Sequence, residues 1–404
     1  MLKTKYLLPL ILILCLTFAL SGFSADLYST YDQRIKLTVS NTNIDAELTW
    51  FPVTVFLTST QGEEVFAEFD ADADFDKVAF TTSDGSTQVY ADCELFDDSE
   101  SKAIYHIAKT GVAISNTGTT DFYMYYDNDA SSNSTYIGAS GGTAAQSVWD
   151  GNFKAVYHMA DGASTSAIYD STSNNNDGTK KDANEPIEAA GKVGQGQDSD
   201  GTNDYITIPD LGEIADFTVE MLLNADTLPG DDTWDGVTGN QGWAAKNMHI
   251  AITPANWSGV DNSFRVATNK TAIESTTAMP TSTWHLWAVK YDQTTTEEFY
   301  LYKDGVVEDA TTANGANQNI DFNNWRIANI YDATRLFDGK TDEFRLSNSV
   351  RSAAWLKATY NSLWDTLLTY GAEETGATFP LTKWNGVVIT KWNNIAITKW
   401  NTIE

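Results

Sequence analysis

The sequence predicts an all-β fold: two β-sandwich domains, the second a jelly roll, followed by a short tail of β repeats. Three observations carry that reading. Short runs of alternating polar and apolar residues, broken by Gly, Asn and Asp turn signals, dominate from residue 31 to 372. An interval rich in Ser, Gly, Ala and Asn, residues 128 to 146, separates two such blocks. The clearest helical spacing comes late, at residues 349 to 363, where Trp355, Ala358, Thr359 and Leu363 share one face.

The elements follow in chain order. Residues 1–25 have a basic start at Lys3 and Lys5, an apolar run from Tyr6 to Leu20 and small residues near Ala25, the three parts of a secretory signal peptide. That run is too short for a comfortable membrane span, so the mature chain is expected to be exported, extracellular or at a cell surface, with no membrane span. Only Cys93 remains once the signal is removed, which excludes an internal disulfide. The first domain, residues 26–130, holds strand signals at Arg34–Val39, Phe51–Thr58, Ala103–Ala108 and Asp121–Tyr126. It also holds a hairpin across Asp84-Gly85, since Asp-Gly suits a tight turn. Residues 131–148 read as a linker. The second domain, residues 149–372, carries strands at Phe153–Met159, Asp204–Ile208, Phe217–Leu223, Trp284–Tyr291, Glu298–Lys303 and Gly339–Ser347. Many short strands joined by turns suggest a two-sheet sandwich. A second linker, residues 373–380, leads to residues 381–404. There Thr-Lys-Trp-Asn recurs three times, at 382, 390 and 398, with a period of eight residues. An even period keeps Trp384, Trp392 and Trp400 on one face of a continuous strand; alternatively Asn385-Gly386 and Asn393-Asn394 are tight turns between short strands. Either form is too small to bury its own apolar face and must stack on its copies, on the sandwich or on another molecule.

The balance of 25 Lys+Arg against 55 Asp+Glu gives a formal net charge of −30. Such a surface repels DNA, RNA and anionic lipid, which excludes nucleic acid as a partner.

Several motifs of the second domain resemble, in order, those of LamG-like domains in the concanavalin A-like lectin/glucanase superfamily. They are Asp170–Gly178, then Asp200-Gly201 with Asp204-Tyr205-Ile206, then Trp284-His285, Leu301–Gly305, and Asp342–Leu346 followed by Arg351-Ser352 and Trp355. Ser199 stands where that family usually has Phe. The first domain is similar to a family of unknown function that commonly precedes such a jelly roll in exported bacterial, archaeal and phage-related proteins. The matching residues are Phe51-Pro52-Val53 with Val55, Ser83–Gly85, and Tyr123–Asn128. The resemblance implies a jelly roll behind a β-sandwich, and names no ligand.

The superfamily includes glucanases, whose three acids stand in a Glu-x-Asp-x-x-Glu strand; no such sequence occurs here, so no enzyme is expected. The four histidines, His106, His158, His249 and His285, show no His-x-x-x-His or His-Glu pairing, which argues against zinc. Calcium is the expected metal. Asp170, Asn174 and Asp177 lie on one oxygen-rich loop, and in LamG-like domains a structural Ca²⁺ often sits between such a loop and the closing Asp-Glu strand, which adds Asp342. The competing reading is an Asn-rich turn held by side-chain-to-backbone bonds. Sugars stack on aromatic faces, and Trp234, Trp243 and Trp257 lie in Gly-rich loop sequence, so they are the candidate ligand platform. The expected function is a secreted binding protein for a glycan or another extracellular polymer. The alternative is an assembly protein self-associating through the jelly roll and residues 381–404, and a glycoside hydrolase comes third.

Overall fold

The computed structural model describes Leu27 and residues 30–162, 164–240, 244–312, 318–330, 334–376, 391–392 and 395–396. The expected signal peptide and Trp243 lie outside the described residues.

The chain is nearly all β. Its first sheet runs in the order Leu368–Thr375, Gln33–Val39, Thr120–Tyr126, Val78–Thr82, Gln88–Asp97, Lys102–Ala108, Val53–Leu57, with Ile137–Ala139 added parallel to Gln88–Asp97. Alternation explains the strands: Ile35, Leu37 and Val39 are buried while the residues between them are half-buried. Asp84 caps the expected hairpin turn, its Oδ1 accepting from the amides of Ser86 and Thr87.

The second domain is two packed sheets. One runs Ile187–Ala190, Gln195–Asp200, Asp338–Ser347, Phe217–Ala225, His285–Asp292, Glu298–Lys303, Val306–Thr312, with Phe153–Tyr157 also on Asp338–Ser347. The other runs Ala167–Ile168, Gly178–Lys180, Ile206–Thr207, Arg326–Ile327, Asp235–Gly239, Met248–Ile252, Ser263–Thr268, Ala272–Ala278. Val219, Met221, Trp287, Val289 and Phe344 from the first sheet meet Val237, Ile250, Phe264 and Ile327 from the second in one core.

The first of these sheets is buried on its other face too. Leu222 and Leu286 pack with Ile104 of the first domain, and Val156, Ala288 and Tyr302 join the first domain's core beside Val53 and Val55. The helix Ala353–Leu363 lies in this junction. Ser352 caps it by accepting from the Trp355 amide, and Trp355 meets Phe51 edge-on at 4.9 Å. The four residues expected on its inner face are all buried. Arg351 forms a buried bidentate pair with Asp150 at 2.7 and 2.9 Å, stacked over Trp355.

Two boundaries differ from the sequence reading. The stretch read as a linker at 131–148 is packed structure: a strand at Ile137–Ala139, a short helix at Thr143–Gln146, and Ala144, Ala145 and Val148 buried. Its small residues serve close approach, since a Cβ on Gly138 would lie 2.8 Å from the Ala145 nitrogen. The second domain also does not end within its own sheets at 372. Leu368–Thr375, reaching into the expected linker at 373–380, is the edge strand of the first sheet, paired with Gln33–Val39. Glu373 and Glu374, which look like linker polarity, bind Tyr126 and Arg34. Within the repeat tail, Lys391–Trp392 pairs antiparallel with Ile395–Ala396, and the rest of residues 381–404 lies outside the described residues.

Candidate functional site

Four side chains converge where the two domains meet. Glu94 and His106 come from the first domain, His158 and Glu343 from the second, and one donor atom of each lies within 4.8 Å of the others. All four side chains are at most 3% exposed. Local backbone aims them. Asp92 and His106 are cross-strand partners, and the register then slips between Cys93 and Leu95, so Glu94 occupies a β-bulge. A second bulge opposite Met221 turns Glu343, whose φ is +49°, a left-handed conformation that a non-glycine side chain holds only when its surroundings fix it. His158 directly follows the Phe153–Tyr157 strand.

The donor atoms form a small cage. His106 Nε2 lies 2.8 Å from Glu94 Oε2 and 3.8 Å from Glu343 Oε1. His158 Nδ1 lies 2.5 Å from Glu343 Oε1 and 3.5 Å from Glu94 Oε2. The imidazoles stack, with centroids 4.5 Å apart and planes 12° off parallel, and Trp149 leans on both. An outer ring fixes the inner one. His158 Nε2 is 3.0 Å from Asp92 Oδ2, and Asp92 is itself held by the Trp149 indole N–H and the Ser140 hydroxyl. His106 Nδ1 is 3.1 Å from Thr54 Oγ1, which accepts from Ser362 of the Ala353–Leu363 helix. Arg345 donates to Glu343 Oε2, leaving Oε1 to face the cage. Burial, reinforced by the neighbouring His158, holds His106 down at about 3. Burial acts the same way on His158, but Glu343, Asp92 and Glu94 outweigh it and raise that histidine well above its ordinary value. Burial, then the Glu343 charge, push Glu94 up.

His106 and His158 belong to no His-x-x-x-His or His-Glu pattern, the ground on which the sequence argued against zinc, yet the fold stacks their rings. A signal was present. Ala103–Ala108 and Ala155–Ala160 both read Ala, Ile or Val, Tyr, His, Ile or Met, Ala.

The expected calcium ligands lie elsewhere and in two environments. Asp170 Oδ1 accepts from the amides of Val156 and Thr172, and its Oδ2 accepts from the Thr172 hydroxyl and the Asn176 amide. Asp177 Oδ1 accepts from the Asp170 amide, and Asn174 donates to the Phe153 carbonyl. The loop is thus tied by side-chain-to-backbone bonds, the competing reading of that sequence. Asp342 instead turns its Oδ2 to the amides of Lys192 and Val193. Among the described residues, the set of His, Cys, Asp and Glu groups drawn close enough to share an ion contains none of these.

Two of the three expected platform residues do meet. Trp234 and Trp257 pack edge-on at 4.9 Å, both half-buried. Glu274 accepts from the Trp257 indole N–H at 3.0 Å, and the Arg265 guanidinium lies 5.1 Å from the same ring. Paired hydrogen bonds between Asp232 and Asn256 tie the two loops together beside the rings. A second aromatic-lined depression, about 500 Å³, opens at the domain junction between Trp50, Tyr90, Gln146 and Trp149.

Comparison with known proteins bears on the second domain. Residues 200–357 match the family described as the concanavalin A-like lectin/glucanases superfamily. The second domain is a concanavalin A-like jelly roll. The match begins after the Asp170 loop and does not reach the first domain. Among solved structures, the chain is similar to domain 4 of AbnA, a GH43 extracellular arabinanase from Geobacillus stearothermophilus, in complex with arabinotriose. That likeness has 20% identity and a TM-score of 0.38, and covers 54% of this chain and 98% of that one. It is similar to the binding domain of Paraclostridial Mosquitocidal Protein 1, with 14% identity and a TM-score of 0.41, covering 52% of each chain. It is also similar to the botulinum neurotoxin serotype D ligand-binding domain in complex with N-acetylneuraminic acid. There the identity is 8% and the TM-score 0.40, covering 52% of this chain and 50% of that one. The chain thus spans about half the length of the two toxin domains. No curated protein matches the chain in sequence.

Proposed function

We propose that this chain is a secreted or surface-associated binding protein that recognises carbohydrate, or another extracellular polymer, at the end of its jelly roll where Trp234 and Trp257 meet. The observation that carries this reading is the geometry of that pair. Two half-buried indoles stand edge-on, backed by Arg265 and Glu274, with the exposed polar groups of Asp231, Asp232, Thr233 and Asn256 beside them. Aromatic faces contribute apolar contact to a sugar ring while adjacent amides and carboxylates bond its hydroxyls. Loops already tied by Asp232 and Asn256 lose little entropy on binding.

Binding rather than hydrolysis fits the placement of the carboxylates. A retaining glycosidase needs two carboxyl groups about 5 Å apart that flank a sugar. Glu94 and Glu343 have that proximity but are sealed between domains, where no polymer can reach them.

The test is a glycan array on the full chain, then titration of any hit against Trp234→Ala and Trp257→Ala. Each variant is expected to bind at least about tenfold more weakly, the equivalent of 1.4 kcal/mol, with an unchanged melting temperature. Undiminished binding by both variants rejects this platform. Loss confined to Trp50→Ala moves the site to the domain junction.

A further inference from the structure

The caged donors at the domain junction have the composition and dimensions of a metal site. We propose that Glu94, His106, His158 and Glu343 bind a divalent transition-metal ion of the zinc class, which staples the first domain to the jelly roll.

Size is the first argument. Bonds of about 2.0–2.1 Å to a tetrahedral ion place its ligand atoms about 3.3 Å from one another. Four of the six edges of the cage, 2.5, 2.8, 3.5 and 3.8 Å, straddle that value, and all six are within 4.8 Å. Donor chemistry is the second. Two imidazole nitrogens with two carboxylate oxygens suit zinc and its neighbours, whereas Ca²⁺ selects all-oxygen shells of six to eight ligands. The outer ring is the third. A metal-bound histidine gives its other ring N–H to a carboxylate, carbonyl or similar acceptor, which fixes the tautomer. His158 has Asp92 there and His106 has Thr54.

Charge is the fourth argument. Asp92, Glu94 and Glu343 set three buried carboxylates against the one guanidinium of Arg345. Ligation needs both imidazoles neutral, so a divalent ion takes over from the proton that His158 carries and sets two positive charges among these carboxylates. Two ligands come from each domain, so the ion can be gripped only when the domains dock, and its binding free energy becomes docking free energy.

The experiment unfolds the full-length mature chain in denaturant with chelator and refolds it with Zn²⁺, with Co²⁺, with Ca²⁺ or with no metal. After desalting, about one equivalent of zinc per chain is expected to remain, with a higher melting temperature than the metal-free sample. Calcium should leave both unchanged. Co²⁺ should give the intense visible bands of a four-coordinate site. His106→Gln with His158→Gln should lose the bound zinc and the zinc-dependent stabilisation. Retention of zinc by that double variant, or wild-type protein that keeps under a tenth of an equivalent and melts alike with and without zinc, overturns the proposal. The cobalt spectrum is read on wild-type protein, so it decides the matter even if the variant does not fold.

Discussion

Asp235 opens the Asp235–Gly239 strand beside Trp234, and its carboxylate is half-buried. Burial, with Asp338 nearby, pushes it up to about 7, against about 3.9 in an unfolded chain. The folded pKa is the higher one, so the fold disfavours the ionised form. The stability this group allows is fully present below about pH 4 and is lost as the pH rises through 7. Asp235→Asn removes the charge and should raise the melting temperature at pH 8, by about 1–2 kcal/mol in stability once solvent screening is allowed for. The gain should vanish at pH 4. Melts of both proteins at pH 4, 6 and 8 check it, and an equal effect at all three would contradict it. At this same scale the sequence was least readable. Trp234 and Trp257 stand out in the sequence as loop-borne tryptophans, and the structure packs their rings together. His106 and His158 stand 52 residues apart and stack only across the domain junction, where Asp338–Ser347 also brings Glu343. Their carboxylate partners sit on bulges, and no local pattern marks the residue that a bulge will re-aim.

Strands and turns were largely legible, because half-buried strands alternate with period two. Where the pattern misled, burial on both faces was the reason. Thr218 and Glu220 look like the wet side of the Phe217–Ala225 strand, yet both are buried against the junction. The Leu368–Thr375 strand was missed because an edge strand needs only one covered face, and its Glu373 and Glu374 resemble a linker. That strand makes a specific prediction. Stopping the chain after Gly376 keeps the pairing with Gln33–Val39, together with the Gly376 amide bond to the Asp32 carbonyl, and should leave the melting temperature unchanged. Stopping after Leu367 strips Tyr126, Arg34 and the Phe56 amide of their partners Glu373, Glu374 and Tyr370. It also bares the Gln33–Val39 edge to other chains. The shorter form should melt lower and run as aggregates in size-exclusion chromatography. Equal behaviour of the two truncations would mean that the strand contributes nothing to the first sheet.

At the scale of the molecule, the boundary between the domains is legible as a change in composition but does not exist as a flexible joint. One core runs from Val53 and Val55 of the first sheet through Phe153, Val156, Tyr302, Trp355 and Leu356 of the second domain, and the last strand returns to the first sheet. Among the described residues no disulfide braces this arrangement, and Cys93 is a buried free thiol. Packing across the junction therefore couples the two halves, and they should unfold in a single calorimetric transition rather than two. Trp355 is the natural probe. It is 6% exposed, touches Phe51 of the first domain and lies under Arg351 of the second. Trp355→Ala leaves a cavity in a shared core and should cost about 3–5 kcal/mol. Because the core is shared, the whole transition should move down as one, with first-domain and jelly-roll signals in hydrogen exchange losing protection together. A variant in which only the Ala353–Leu363 helix and the adjoining jelly-roll sheet lose protection, while the first sheet keeps its own, would show two independent domains in mere contact. That outcome would also remove the reason for a metal to sit between them.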